Sequence, residues 1–293
     1  MRMIAPMVSC VLVGLCCLAE LAPAAYKPMI NASAMAEAKK GISALKMLSP
    51  TARQACIAER LGLLYMDASD SAYSGRPWTD DVGFHYYPVK HGSKYMGGNG
   101  KEYDFFTERA AARQKKFGGV SGNDIWNRAM LAMEMAGEDT VFSAFVNEVT
   151  KVVQQTARRH LRLLPKEMRD SMLAQIADLL YVDEGGDAYA DEKSSERYGT
   201  INMERKCVWR EPRPDAKFRD STGKEWKHEE LWTRKGISGK VPYSVDLIRW
   251  CVMLVGEDDI LSLFPREVKD MRKYNASKQA PEAEPPSRSM PPA

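Results

Sequence analysis

The signatures of metal, nucleophile and nucleotide chemistry are missing from this chain of 293 residues. There is no HExxH and no CxxC, and the four histidines, His85, His91, His160 and His228, fall at unrelated spacings, which excludes the usual convergent zinc site. A histidine standing alone is ordinarily solvated or hydrogen-bonded rather than a ligand. GxSxG is absent, so no nucleophile elbow is encoded. The Gly-Lys-Glu pieces at Gly100 and Gly223 follow turn residues and lack the upstream glycine of a phosphate-binding loop. No metal and no cofactor are expected. Cysteine is sparse as well: of six, Cys10, Cys16 and Cys17 fall in the amino-terminal apolar segment, leaving Cys56, Cys207 and Cys251. Beyond that segment no apolar run is long enough to span a bilayer.

What the amino terminus does contain is Arg2, an apolar run from Met3 to Ala19, then small residues at Ala22, Ala24 and Ala25. This is the layout of a secretory leader, residues 1–25, cleaved after Ala24 or Ala25, and it places the chain outside the cytosol. The run of 17 residues is also at the lower limit of roughly 17 to 25 for a spanning anchor, but Glu20 and Pro23 favour cleavage. An oxidising compartment permits one disulfide, with Cys207 and Cys251 as the expected pair; three buried free thiols are the alternative. Asn31-Ala-Ser33 and Asn275-Ala-Ser277 are glycosylation acceptors in segments expected to be polar tails.

The strongest pattern is internal. Arg53–Tyr73 lies over Arg169–Tyr189 at an offset of 116, with eight of 21 residues identical, including Leu-Leu-Tyr. Ser93–Tyr103 matches Ala216–Trp226 at an offset of 123, and Gly137–Val149 matches Gly256–Val268 at 119 with seven of 13 identical. Three collinear matches point to tandem duplication of one module. The expected fold is α+β, each module having a helix, a small antiparallel hairpin region and two further helices. The expected divisions are a flank at 26–47, module one at 48–160, module two at 161–274 and a proline-rich tail at 275–293.

Local chemistry supports these elements. Ser49 caps a helix with Pro50 at its first position, and Ile57, Leu61, Leu64 and Tyr65 recur at helical spacing. Asn99-Gly100 and Thr222-Gly223 supply hairpin turns. Ile125, Ala129, Ala132, Met133 and Ala136 form one helical face that Gly137 ends, as Gly256 does in the second copy. The acids after these glycines suit the start of a last helix, which Pro265 should kink or restart in the second copy alone. A fused ancestral dimer with a pseudo-two-fold axis, monomeric in solution, would follow from two such copies.

Three site readings compete. Asp67, Ser69, Asp70 and Ser71 in one copy and Asp183, Glu184 and Asp187 in the other offer oxygen ligands, but at spacings unlike a calcium loop, so helix termination is the better reading. Glu59, Asp67, Glu102 and Asp104 could supply a carboxylate pair to an exported hydrolase of a glycan or cell-envelope polymer. Residues 193–240 carry 13 Lys and Arg against eight Asp and Glu, in a chain whose net charge is +3, and interleave them with aromatics. Trp78, Tyr86, Trp209, Arg210, Lys217 and Trp226 are therefore the candidate binding residues, suited to an extracellular protein or an anionic glycan, with nucleic acid the poorest fit for an exported chain. The resulting expectation is a secreted two-module binding protein without catalytic machinery; a structural component of an extracellular assembly is the remaining class.

Overall fold

A computed structural model describes residues 32–66, 71–74, 78–79, 85–86, 88–183, 185–197, 206–233 and 242–279. The expected leader, Asn31, Asp67 and the proline-rich end from residue 280 lie outside the described residues. In chain order the first half contains α1 (Ala32–Met47), α2 (Pro50–Arg60), β1 (Trp78–Thr79), β2 (His85–Tyr86), β3 (Lys94–Met96), β4 (Glu102–Asp104), α3 (Phe105–Gln114), β5 (Lys116–Phe117), β6 (Val120–Ser121), α4 (Gly122–Ala136) and α5 (Glu138–Phe142). After a turn of 3-10 helix come α6 (Val146–Leu163), α7 (Lys166–Ile176), β7 (Tyr189–Arg197), β8 (Lys206–Pro212), β9 (Lys217–Arg219), β10 (Glu225–Lys227), α8 (His228–Thr233), α9 (Pro242–Val255), α10 (Glu257–Leu261) and α11 (Pro265–Gln279). Every sheet among the described residues is a two-stranded antiparallel pair, so the architecture is helix-rich α+β.

The helix boundaries follow from capping and glycine chemistry. Ser49 Oγ accepts from the Ala52 N–H at 3.2 Å, meeting one of the donors that a helix start leaves open. α2 stops at Arg60, earlier than the apolar spacing implies, because Gly62 turns the backbone to φ +68°. Asp178 takes the matching place after α7 at φ +54°, a conformation that costs a residue with a Cβ. Beyond this turn the chain is extended: Tyr65 exchanges backbone hydrogen bonds with Lys94, at 3.0 and 2.7 Å, and Tyr181 does the same with Lys217, at 2.9 and 2.8 Å. Gly100 at φ +77° and Gly223 at φ +86° turn the β3–β4 and β9–β10 hairpins as their sequences predict.

On α4 the expected face is buried, with Trp126 added to it, and Gly137 ends the helix at φ +83° as Gly256 ends α9 at +92°. The break expected at Pro265 alone occurs in both halves. α6 restarts at Val146 just as α11 does at Pro265, and Pro265 occupies the first helical position, where its missing N–H leaves no bond unmade.

Packing repeats in a direction the sequence reading did not expect. α1 packs along α4 and α5, and α6 packs along α9 and α10. α6 also rests on α2 and β3, and α11 rests on α7 and β9. Thus α6 stands to the second half as α1 stands to the first, and it closes the first half as α11 closes the second. The contact between halves is heterologous, which differs from the expected pseudo-two-fold axis. Trp250 shows the asymmetry: it is buried, with Nε1 donating to the Leu61 carbonyl at 2.5 Å, whereas Leu131 at the matching place on α4 is 46% exposed. The expected boundary at residue 160 falls inside α6, and the segment 26–47 expected as a flank contains α1, which packs as part of the first half. One apolar core runs through both halves.

The far face of α11 carries Lys269, Arg272 and Lys273, all exposed, whereas at the matching places on α6 Val153 is buried and Gln154 Nε2 donates to Asp259 at 3.1 Å. The near face corrects a further expectation. Asn275 is fully buried; its Nδ2 donates to the carbonyls of Arg219 and Met271, each at 2.8 Å, and its Oδ1 accepts from Arg219 N–H at 2.9 Å. An amide so engaged cannot carry a glycan in the folded chain, because α11 continues past the expected start of the tail.

Candidate functional site

Of the six predicted binding residues, three have described side chains: Lys217 and Trp226 lie on opposite faces of one hairpin, and Arg210 lies on another strand. Trp78 and Tyr86 face each other as Cα partners across β1 and β2, and Trp209 lies on β8; their side chains are outside the described residues. Arg210 is exposed, pairs with Asp187 and lies 4.6 Å from the ring centroid of Tyr189. Lys217 pairs with Asp183 and with Glu225 at 3.8 Å. Trp226 is the Cα partner of Phe218, which is buried, so it lies on the opposite face of the β9–β10 hairpin from Lys217. Its Nε1 donates to Asp220 at 2.8 Å, and Lys224 Nζ sits 3.7 Å from its ring centroid. Burial alone would raise the Asp220 carboxyl, but donors from Thr222, Trp226 and Lys224 outweigh it and hold the group below the usual range. Among the described side chains of this basic stretch, Arg210, Arg213, Lys217 and Lys224 are engaged in ion pairs or ring contacts within the fold.

The hydroxyls of Tyr65 and Tyr181 donate to Glu102 and Glu225, at 3.1 and 2.7 Å, in matching places. Lys94 pairs with Glu102 at 2.8 Å. These recurrent contacts tie the segment after α2 or α7 to its hairpin, and they account for the shared lysines and glutamates as structure. The Cys207–Cys251 pairing is also corrected: Cys251 is a free thiol, fully buried on α9, and burial raises it far above the usual thiol range. Cys56 is likewise free and buried. Among the described residues no three metal-ligating side chains converge.

The two halves differ at one surface depression among the described residues. In the second half a cleft of about 330 Å3 opens between α7, β8, α8 and α9. Its apolar wall is Pro212, Pro214, Trp232 and Val245, and its polar wall includes Gln175, Glu211, His228 and Arg249, with Arg213 and Glu229 at the margin. Arg249 pairs with Glu211 at 3.4 Å, and Gln175 Nε2 donates to the Arg210 carbonyl at 3.1 Å. Behind the wall, Ser171 is fully buried. Its Oγ lies 2.8 Å from His228 Nδ1 and accepts from Trp232 Nε1 at 3.3 Å. Burial first, and the Arg249 guanidinium second, push the His228 imidazole down to about 4. The ring is neutral at physiological pH.

Matching the halves explains why the cleft exists. α3 and α8 begin at Phe105 and His228, whose N–H groups donate to Ser93 and Ala216 at 2.9 Å each, so these residues correspond. α4 and α9 run unbroken into Gly137 and Gly256, so Trp126 corresponds to Val245 and Met130 to Arg249. By the same register Ala55 corresponds to Ser171, Glu59 to Gln175 and Arg109 to Trp232. In the first half Trp126 is fully buried, Arg109 lies 5.7 Å from the ring centroids of both Phe105 and Trp126, and its Nη1 is 3.5 Å from Glu59. Burial, against the opposing pull of Arg109 and Arg60, keeps the Glu59 carboxyl above its usual range. Tryptophan therefore fills in one half the space that valine leaves open in the other.

Nothing local in the sequence singles out Ser171, His228 or Arg249, and Trp232 stands there only as one of the aromatics of the basic stretch. His228 has no histidine, cysteine or nucleophile at a telling spacing beside it. The available signal lies two residues past the hairpin match: His228 against Phe105 puts a polar ring where the first half has a core ring. Buried polar groups are retained only with partners, and the partner, Ser171, also replaces a core residue, Ala55. Comparison of the chain with protein-family models, with curated proteins and with solved structures returns no match.

Proposed function

We propose that this chain is an exported binding protein, built by tandem duplication, that takes its ligand in the cleft of its second half. One observation carries the reading: six positions that pack or seal the first half, Ala55, Glu59, Phe105, Arg109, Trp126 and Met130, correspond to the cleft and its support, Ser171, Gln175, His228, Trp232, Val245 and Arg249. Burying a serine–histidine pair in place of alanine and phenylalanine costs stability unless every group is satisfied, and here it lines a space of ligand size. Duplication is supported by the bridges of Tyr65 and Tyr181, the hairpin glycines and the restarts of α6 and α11, all at the offsets of the sequence matches. Export rests on the leader-like residues 1–25. Among the described residues no helix is long and apolar enough to cross a membrane.

The test is a screen of residues 26–293 on an array of neutral and acidic oligosaccharides and acidic peptides, alongside Val245→Trp, which copies Trp126. Hits that the variant loses while its circular dichroism is unchanged support the reading. Identical hits from both chains, or none from either, reject it. A second reading has one observation in its favour: Glu211 and Glu229 both line the cleft, and two carboxylates beside an aromatic wall are what a glycan hydrolase requires. Release of reducing ends by the native chain, abolished by Glu229→Gln, would establish that reading instead.

A further inference from the structure

The ligand's chemistry can be read from the cleft, an inference that rests on the binding reading above. Charge comes first. The lining holds Arg213 and Arg249 against Glu211 and Glu229, and the imidazole of His228 is neutral, so the formal charge sums to zero. A cleft balanced in this way has no Coulombic preference for an anion, which separates it from the anionic glycan expected from composition.

Hydrogen bonding comes next. Trp232 Nε1–H can only donate, so Ser171 Oγ accepts from it. The serine hydroxyl keeps one proton to give, and of its two hydrogen-bond partners only His228 Nδ1 can accept it. That leaves Nδ1 without a proton and puts the ring's one proton on Nε2, the nitrogen remaining for the cleft that the ring lines. Trp232 thus serves twice, as wall and as the origin of a relay that sets the tautomer.

We propose that the cleft binds a neutral sugar, about one or two rings in size, with an acceptor oxygen on His228 Nε2–H, hydroxyls shared among Glu211, Glu229 and Arg249, and an apolar ring face against Trp232 and Pro212. A sugar is the class that supplies donors and acceptors together on a body with an apolar face, without net charge. An apolar ligand would offer no acceptor to His228 Nε2–H and would strip water from the Arg249–Glu211 pair without replacing its hydrogen bonds. Ser171 is a positioning residue, acting through the imidazole.

The experiment uses residues 26–293 and a panel of neutral disaccharides, one of them an N-acetylhexosamine disaccharide, with a uronic acid disaccharide and free glycine as charged comparators. Saturation-transfer NMR reads binding, and long-range proton–nitrogen correlation reads the His228 tautomer before any ligand is added. The expected results are a proton on Nε2 in the free protein, binding of a neutral sugar that broadens the Trp232 indole signal, and weaker or no binding of the comparators. The double variant S171A/H228F reproduces the Ala55–Phe105 pair, so it should keep its melting temperature while its affinity falls about tenfold, the effect of one good hydrogen bond. S171A alone should shift the tautomer balance and weaken binding less.

A proton on Nδ1, unchanged affinity in S171A/H228F, or tighter binding of the uronic acid or glycine would overturn the proposal. Binding of an acidic peptide that Val245→Trp abolishes, with no sugar bound, would overturn the sugar and leave the cleft standing as a binding site. Absence of any ligand sensitive to Val245→Trp would overturn both.

Discussion

At one location the first half of the chain buries Phe105, Trp126 and the Glu59–Arg109 pair, and the second half holds His228, Val245 and an open cleft. The backbone frames agree closely enough for hydrogen bonds to recur residue by residue, so the difference lies in filling rather than in fold. A frame that one half stabilises with a large ring can, in the other half, give up that ring's volume to solvent or ligand. The first half also has an ionic lock that the second lacks. Arg60, 3% exposed, donates to Glu138 at 2.9 Å and to Glu134 at 3.2 Å, while Ile176 stands in its place in the second half.

Removing the lock should give one of the two largest effects. Arg60→Ala removes the buried guanidinium that two nearly buried carboxylates share, and urea unfolding should show a loss of about 3 kcal/mol. A loss below about 1 kcal/mol would mean that Ile176 and Arg60 are interchangeable, and the contrast between the halves would fail. Trp126→Val imposes the second half's residue on the first. It should cost about 3 kcal/mol and open a new cavity, seen as binding of a small apolar probe. Full stability in that variant would show that the frame closes over the gap by itself.

Acid should sharpen the comparison next. His160 on α6 is fully buried, with Nδ1 3.0 Å from Ser244 Oγ, and burial, then Arg159, push it down to about 3; His228 stands at about 4. Both folded values lie below the ordinary histidine range, so the unfolded chain binds more protons as pH drops. The stabilisation is complete above about pH 6.5 and declines below it, by about 2 kcal/mol per histidine at pH 5. H228F, which copies Phe105, should remove its share of that slope and leave the share due to His160; an unchanged urea midpoint from pH 7 to pH 5 in the native chain would contradict both assignments. Last, Ser49 caps α2 with its side chain, whereas Pro165 before α7 makes no side-chain cap bond. Ser49→Ala should lower stability by about 1 kcal/mol, and Pro165→Ser should raise it by a smaller amount, both read from thermal melts.

The elements were legible because their punctuation is local. Ser49-Pro50, Asn99-Gly100, Thr222-Gly223, Gly137 and Gly256 each act over one turn of chain, and each is found where its chemistry predicts. The arrangement of the halves was less legible. α1 carries no detectable sequence match to α6, since Gly41 and Ala44 stand where α6 has Ala157 and His160, so only packing reveals that they play one role. The site was least legible. Basic and aromatic residues stood out by number, yet Lys217, Arg210 and Trp226 are occupied by Asp183, Asp187 and Asp220. The cleft depends on what is small, Val245, and on a hydrogen bond spanning 57 residues between Ser171 and His228, neither of which composition registers.

Because α6 closes the first half and opens the second, neither half is complete without it. A cut before Val146 takes the lid from the first half, and a cut after Leu163 takes from the second half the wall that α9 leans on. Each half borrows the same 18 residues. Heat or denaturant should therefore find no seam at which to separate them, and the chain should melt in a single calorimetric step rather than in two.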